Sequence, residues 1–392
     1  MEVIKLFFIF GTRPEAIKMA PLILELQKNK DFHCTIAVTG QHREMLDTVL
    51  QHFGLVPDYD LNVMSEQQTL FGVTCSVLQG LEVIIKQEKP NLILVHGDTC
   101  TTFTGALASF YNRIPVGHVE AGLRSYNRYF PYPEEINRRL TAVLSELHFA
   151  PTISAKNNLL REGIEAENIF VTGNTAIDAL LMTVSDNHVF QEPFLRELDF
   201  NHKRVLVVET HRRENWGEVM AGICEAVGEV AVEKEDLVVV FPVHPNPSVQ
   251  KVVHDKLGSN SCVKLTAPLA YNDFTNLVAR SHMVITDSGG LQEEAPALGK
   301  PVLVVRDLTE RPEAVAAGTV EIVGTDKDKL KRSLHTLLQD RKKYARMARA
   351  VNPYGDGKAS LRIRDALLYY FGLRKQRPEE FREQRQDVKQ DG

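Results

Sequence analysis

Cysteine is scarce and scattered in this chain. Cys34, Cys75, Cys100, Cys224 and Cys262 are spread over 392 residues with no C-x-x-C pair. That spacing excludes a disulfide framework and a cysteine-based zinc site, and it fits buried thiols in a reducing compartment. A basic surplus is missing too. Lys and Arg number 46 against 51 Asp and Glu, a formal net charge of −5, so nucleic acid is not an expected partner. The apolar run at the N-terminus, within MEVIKLFFIF, is too short to span a bilayer, and no small-residue cleavage pattern follows it. No membrane association is expected, and the cytoplasm is the expected location. The dinucleotide fingerprint is absent as well. The first strand-to-helix turn carries one glycine, Gly11, where G-x-G-x-x-G needs three. No NAD, metal or other cofactor is expected.

What the chain does have is alternation. Residues 3–10 form a mostly continuous apolar run ended by Gly11, the pattern of a strand covered on both faces. A helical pattern follows over 14–29. Strand-like runs recur at 33–39, 91–95 and 115–119, with a helical stretch at 101–111. A second series begins near Lys203, with strands at 205–208, 237–241, 283–286 and 301–305. Strands alternating with helices predict parallel sheets wrapped by helices. The length suits two or three domains. The expectation is two Rossmann-like, doubly wound α/β domains joined near residues 171–178, and a closing helix over 358–371. The tail after Gly372, RKQRPEEFREQRQDVKQDG, is so charged that it is expected to be frayed or disordered.

In open parallel sheets, ligands bind beyond the carboxyl ends of the strands. The chemically unusual residues fall there. Asp287-Ser288-Gly289-Gly290 joins a strand to a helix expected to begin near Leu291. Its paired glycines allow close backbone approach, and the helix start favours an anion, so a diphosphate is expected. Glu294 would repel phosphate but could accept ribose hydroxyls. Gly11-Thr12-Arg13-Pro14-Glu15 is a second such turn. Arg13 would sit at the positive end of the helix dipole, which favours an anionic ligand as its partner, with Lys18 about one turn on. The bland alternatives are an ordinary strand–helix turn and a simple helix cap. Asp98, Glu120 and Glu134 lie on or near loops. Singly each reads as a solvated carboxylate, but together they could provide an acid and a base for two faces of a sugar ring. His118-Val119-Glu120 matches the H-x-E of metal deaminases, yet no cysteine pair supports zinc. His211-Arg212-Arg213-Glu214-Asn215 is dense in polar groups directly after a buried strand, which fits a functional loop or a structural ion-pair cluster.

These segments lie in one order through the chain, with Gln41-His42-Arg43-Glu44, His96-Gly97-Asp98-Thr99, Pro133-Glu134-Glu135, Gly173-Asn174-Thr175, Thr309-Glu310-Arg311-Pro312-Glu313 and 352–357 (NPYGDG). Together they resemble the non-hydrolysing UDP-N-acetylglucosamine 2-epimerases, over everything but the tail. The resemblance implies a GT-B-like pair of Rossmann-like domains facing across a cleft. Their expected spans are 1–172 and 173–355, with a helix at 356–372 returning to the first domain and a charged tail over 373–392. It implies reversible conversion of UDP-GlcNAc to UDP-ManNAc by a homodimer, for cell-surface polysaccharide synthesis. Asp98, Glu120, Glu134 and His211 fall on the catalytic positions. Arg13, Lys18, Ser288, Gly289, Gly290, Glu294 and Arg311 fall on substrate positions, with Phe274 near the uracil. Gln41, Glu135, Arg212 and His244 match a second, activating UDP-GlcNAc site. Glu209 departs from the pattern, standing where the family usually has Thr.

The chemistry narrows the route. C2–H of a sugar has no adjacent carbonyl and is not acidic, and a redox route would need NAD. Departure of UDP from C1 first makes C2–H acidic enough to lose, giving 2-acetamidoglucal and UDP. Re-addition with a proton delivered to the other face gives the epimer. A hydrolysing relative releasing ManNAc and UDP, a GT-B glycosyltransferase and a silent nucleotide-sugar sensor are the rival readings.

Overall fold

The computed structural model describes residues 3–40, 43–63 and 69–382. The chain divides into two compact units. One contains residues 3–181 and Tyr354–Arg382, the other Met182–Pro353.

The first unit is built on seven parallel strands: β1 (Ile4–Phe10), β2 (Phe32–Val38), β3 (Tyr59–Asp60), β4 (Leu92–His96), β5 (Val116–Val119), β6 (Leu147–Ala150) and β7 (Ile169–Val171). Their order is β3-β2-β1-β4-β5-β6-β7. The winding reverses between β1 and β4, where the loops after both strands diverge and leave a crevice. The continuous apolar run of β1 is explained by its two faces. Leu6, Phe8 and Phe10 point into one core and Phe7 and Ile9 into another, as the period of two requires. Helix Arg13–Gln27 packs Ala16, Met19, Ala20, Leu22 and Ile23 into the first core. Helix Ala359–Tyr370 adds Ile363, Ala366 and Leu367 to it. That last helix is started from far away in sequence: the Asp178 carboxylate accepts the N–H groups of Ala359 and Ser360 at 3.1 and 2.7 Å, which would otherwise be unpaired.

Among the described residues one helix, Leu70–Glu88, is long and apolar enough to cross a membrane. Here Val73, Val77, Leu81, Ile84 and Ile85 pack against Phe7, Ile9, Ile93 and Val95 of the sheet. All five cysteines are described and unpaired.

The first part of the tail is packed rather than frayed. The Arg377 guanidinium lies 4.2 Å from the Phe170 ring centroid and donates to the carbonyls of Glu167 and Ile169. Phe381 is buried, and its N–H donates to Val171 O at 2.7 Å. The segment thus covers β7, the open edge of the sheet. Composition alone predicts disorder, but the contacts of Arg377 and Phe381 and the Lys156–Glu380 ion pair hold it. Residues 383–392 of the predicted tail lie outside the described residues.

The second unit carries six parallel strands: β8 (Arg204–Glu209), β9 (Leu237–Pro242), β10 (Val263–Thr266), β11 (Met283–Thr286), β12 (Val302–Val304) and β13 (Val320–Ile322), in the order β10-β9-β8-β11-β12-β13. The reversal falls between β8 and β11. Leu206, Val208, Val239, Phe241 and Ile285 meet helix Glu218–Val232 in one core. Both units are therefore doubly wound, Rossmann-like α/β sheets, as expected.

Candidate active site

In the first unit the crevice is laced together by Glu15. A Cβ on Gly11 would lie 1.9 Å from Thr39 Oγ1, so no larger residue fits where β1 turns into its helix. Thr12 caps that helix and Glu15 completes the capping box. Glu15 Oε2 accepts the N–H groups of Gly11 and Thr12 at 3.0 and 2.8 Å. Its Oε1 accepts the hydroxyls of Thr99 and Thr102 at 2.7 and 3.0 Å. One buried carboxylate thus ties the loop carrying Arg13 to the loop carrying Asp98. Burial raises its pKa, and the hydrogen bonds from Thr99, Gly11 and Thr12 oppose that rise. Arg13, on the first turn, makes no hydrogen bond or ion pair with any described residue.

Glu120 follows β5 with φ of 63°, a left-handed conformation that disfavours a side chain. Two residues on, Gly122 has φ of 90°, and a Cβ there would meet Ala155 O at 2.3 Å. That tight turn aims the Glu120 side chain. Its Oε2 lies 2.5 Å from Lys18 Nζ, accepts Asn174 Nδ2 at 2.8 Å and stands 3.9 Å from His96 Nε2. Asn174 Oδ1 accepts the Ala176 N–H, which fixes the amide so that its NH2 faces Glu120. His96 is buried and pushed down to about 4 by that burial, so it is neutral at pH 7.

Asp98 follows β4. Its pKa is raised to about 6: burial lifts it most, the Arg138 guanidinium at 2.6 Å and Lys18 pull it down, and the charges of Glu120 and Glu134 add to the rise. Glu134 opens helix Glu134–Leu144, and its Oε2 is buried without a hydrogen bond. Three carboxylates from three loops, with Lys18 and Arg138 between them, therefore gather at the carboxyl ends of β4 and β5. Such a group can take a proton at one oxygen and supply one from another.

In the second unit the buried Asp287 plays the tying role. Its carboxylate accepts the N–H groups of His211 and Arg212, both at 3.1 Å, and Asn215 Nδ2 at 2.8 Å. His211 Nδ1 bonds Glu209 Oε1 at 2.7 Å. That hydrogen bond raises the His211 pKa; partial burial opposes it, and the charges of Glu209 and Asp287 add to it. Helix Gly289–Ala297 begins two residues earlier than the sequence suggests, with Ser288 at its cap and no side chain capping its N–H groups. Those groups are free to meet an anion. Arg311 lies over this start, within 3.7 Å of the place a Gly289 Cβ would take, and is ion-paired with Glu293. Glu294 Oε1 comes as close to Gly290. Phe274 is half-buried on helix Tyr271–Arg280.

The residues matched to a second site divide. Arg212 and His244 both flank His211; the rings of His211 and His244 are 6.4 Å apart. Glu135 is buried, and its two oxygens accept the N–H groups of Ser125 and Tyr126 at 2.9 and 3.1 Å. In this structure it anchors a loop. Gln41 lies outside the described residues. Glu209, His211 and Asp287 bring possible metal-ligand atoms within 4.8 Å of one another. Their atoms are already committed to each other and to N–H donors, which suits a hydrogen-bonded cluster better than a cation.

Sequence reasoning missed the clamp at Glu15, the hold of Asn174 on Glu120 and the Arg138–Asp98 pair. The T-x-x-E spacing of Thr12 and Glu15 signalled the capping box, but nothing local signals the other two.

A family model described as UDP-N-acetylglucosamine 2-epimerase matches residues 24–368. The Bacillus subtilis (strain 168) UDP-N-acetylglucosamine 2-epimerase is 51% identical over 97% of this chain and 99% of its own length. The Escherichia coli (strain K12) UDP-N-acetylglucosamine 2-epimerase is 51% identical over 93% and 98%. A crystal structure of UDP-GlcNAc 2-epimerase from Neisseria meningitidis bound to UDP-GlcNAc matches with a TM-score of 0.84 at 48% identity, over 93% of this chain and all of that one.

Proposed function

The chain belongs to the UDP-N-acetylglucosamine 2-epimerase family, and from that premise we propose that it interconverts UDP-GlcNAc and UDP-ManNAc reversibly, by elimination and re-addition of UDP. The gathering of Asp98, Glu120 and Glu134 around Lys18 and Arg138 carries this reading. In the first half-reaction the C1–O bond breaks and UDP leaves with the bonding electrons. A carboxylate takes the C2 proton, and the C–H electrons form the C1–C2 double bond of 2-acetamidoglucal. In the second half a different carboxylate delivers a proton to the opposite face of C2, and a UDP oxygen re-adds to C1. One carboxylate has gained a proton and the other has lost one.

The leaving diphosphate asks for positive charge and oriented N–H groups. In the second unit His211, Arg311 and the turn of Ser288, Gly289 and Gly290 supply them, with Glu294 for the ribose and Phe274 for the base. Glu120, held by Lys18 and Asn174, is the candidate base. Asp98, raised to about 6, is the better proton donor. Assembly as a homodimer, activation by a second UDP-GlcNAc through Arg212 and His244, and supply of cell-surface polysaccharide synthesis in the cytoplasm belong to the same proposal.

Proton NMR of UDP-GlcNAc incubated with the protein in D₂O, without NAD or metal, tests it. UDP-ManNAc carrying deuterium at C2, with little free sugar, is the expected result. Free ManNAc and UDP would make the enzyme a hydrolysing epimerase, and an unchanged spectrum would sink the epimerase mechanism.

A further inference from the structure

His211 does not stand alone on its loop. Its Nδ1 lies 2.7 Å from Glu209 Oε1 and 3.5 Å from Asp287 Oδ1. The other Glu209 oxygen accepts the Thr286 hydroxyl at 2.9 Å, and the Thr286 oxygen accepts the Ser288 N–H at 2.9 Å. A hydrogen-bond chain therefore runs from the uncapped start of helix Gly289–Ala297 to the imidazole. A carboxylate can only accept, so this bond places a proton on Nδ1. The side chain is 42% exposed, and Nε2 makes no hydrogen bond with a described residue. Asp287 is the poorer partner for the ring, because its oxygens already serve His211 N, Arg212 N and Asn215 Nδ2.

Resting on the reading that this turn receives UDP, we propose that Glu209 is a positioning residue for His211, holding the ring through Nδ1–H so that a cationic Nε2–H meets the departing diphosphate. The charged and titratable groups around the ring are Glu209 at the end of β8, Asp287 after β11, Arg212 next in the chain and His244 after β9. The two carboxylates favour the charged ring and Arg212 opposes it. As the C1–O bond breaks, negative charge grows on the leaving oxygen and the charge-assisted hydrogen bond strengthens with it. The interaction is then stronger in the transition state than with bound substrate, which is the condition for raising kcat. No proton has to move.

Glu209→Gln and Glu209→Asp in the full chain test this, with two readouts. One is the titration and tautomer of the His211 ring by ¹H–¹⁵N NMR. The other is the pH profile of kcat and KM for UDP-GlcNAc epimerisation. In the wild type the ring carries Nδ1–H when neutral, and the alkaline limb of kcat follows its deprotonation. In Glu209→Gln both the ring titration and that limb shift about one pH unit or more towards acid. There kcat falls at least about tenfold with KM nearly unchanged, and Glu209→Asp recovers part of the loss. A ring that titrates alike in wild type and Glu209→Gln overturns the proposal, as does an alkaline limb that stays in place. Should Glu209→Gln fail to fold, the wild-type tautomer decides: a neutral ring protonated on Nε2 overturns it. Should the wild type fail to epimerise, the functional reading falls, and the NMR titration still decides the link between Glu209 and His211.

Discussion

The two sheets share one winding, and each places its polar residues where the winding reverses, yet the two crevices are built for different charges. In the first unit Glu15 ties the β1 and β4 loops from inside the protein, leaving three more carboxylates around Lys18 and Arg138. In the second unit Asp287 ties the β8 loop to its own turn, leaving a raised His211 beside a helix start with no cap. The same topology thus gathers carboxylates around two cations in one unit and leaves an imidazole beside an uncapped helix start in the other. The topology supplies the crevice and a buried acid to lace it; the side chains just beyond the lacing decide the chemistry.

The largest expected effect breaks that comparison at its catalytic side. Glu120→Gln and Glu134→Gln, made singly, each lower turnover by about 10²–10⁴-fold while UDP still binds in calorimetry. If UDP binding vanished with turnover in both variants, the first unit's carboxylates would be scaffolding. A second test asks whether the two lacing acids are equivalent. Glu15→Ala and Asp287→Ala each strip the acceptor from two backbone N–H groups at a loop. Each is expected to lose about 2–4 kcal/mol in urea unfolding. A change within about 0.5 kcal/mol for either would mean that its loop closes without it.

The smallest effect sharpens the proton assignment. Asp98 has its pKa raised from 3.8 to about 6 in the folded chain. The folded state therefore binds this proton more tightly than the unfolded chain does, and ionised Asp98 weakens the fold. Asp98→Asn should then lose turnover yet match or exceed the wild-type Tm at about pH 8. The gap should close as pH falls below about 4, where both states are protonated. A variant less stable than wild type at about pH 8 would mean that the pair with Arg138 outweighs burial.

Much of this was legible in the sequence. The central strands β1, β4, β8, β9 and β11 are buried on both faces and read as apolar runs, so their places were predicted within a residue or two. The strands β3, β6, β7, β10 and β13 span two to four residues and were missed, although β5, β11 and β12 are as short and were located, so length alone does not decide it. Arg13, Asp98, Glu120, His211 and Ser288 were singled out because a polar residue just after a buried strand needs a reason, and the structure sets them at the carboxyl ends of the strands. Lys18 was expected to serve the substrate, and the fold sets it on Glu120 as well. Glu135 shows the opposite limit: its neighbours in sequence suggest a ligand, while burial commits it to a loop.

By itself the sequence determined the alternation of buried strands and amphipathic helices, and with it two parallel sheets whose carboxyl ends carry these residues. Hydrophobic periodicity and turn chemistry are local, so they can be read one segment at a time. Only the tertiary structure decided that Asn174 and Lys18 share one oxygen of Glu120, that Arg138 reaches Asp98 and that Glu209 holds His211. Most of those contacts join residues tens of positions apart. Even the Glu209–His211 pair depends on Thr286 and Asp287 arriving from another strand. Charge state and hydrogen-bond direction follow from which groups burial brings together, and no local pattern encodes that.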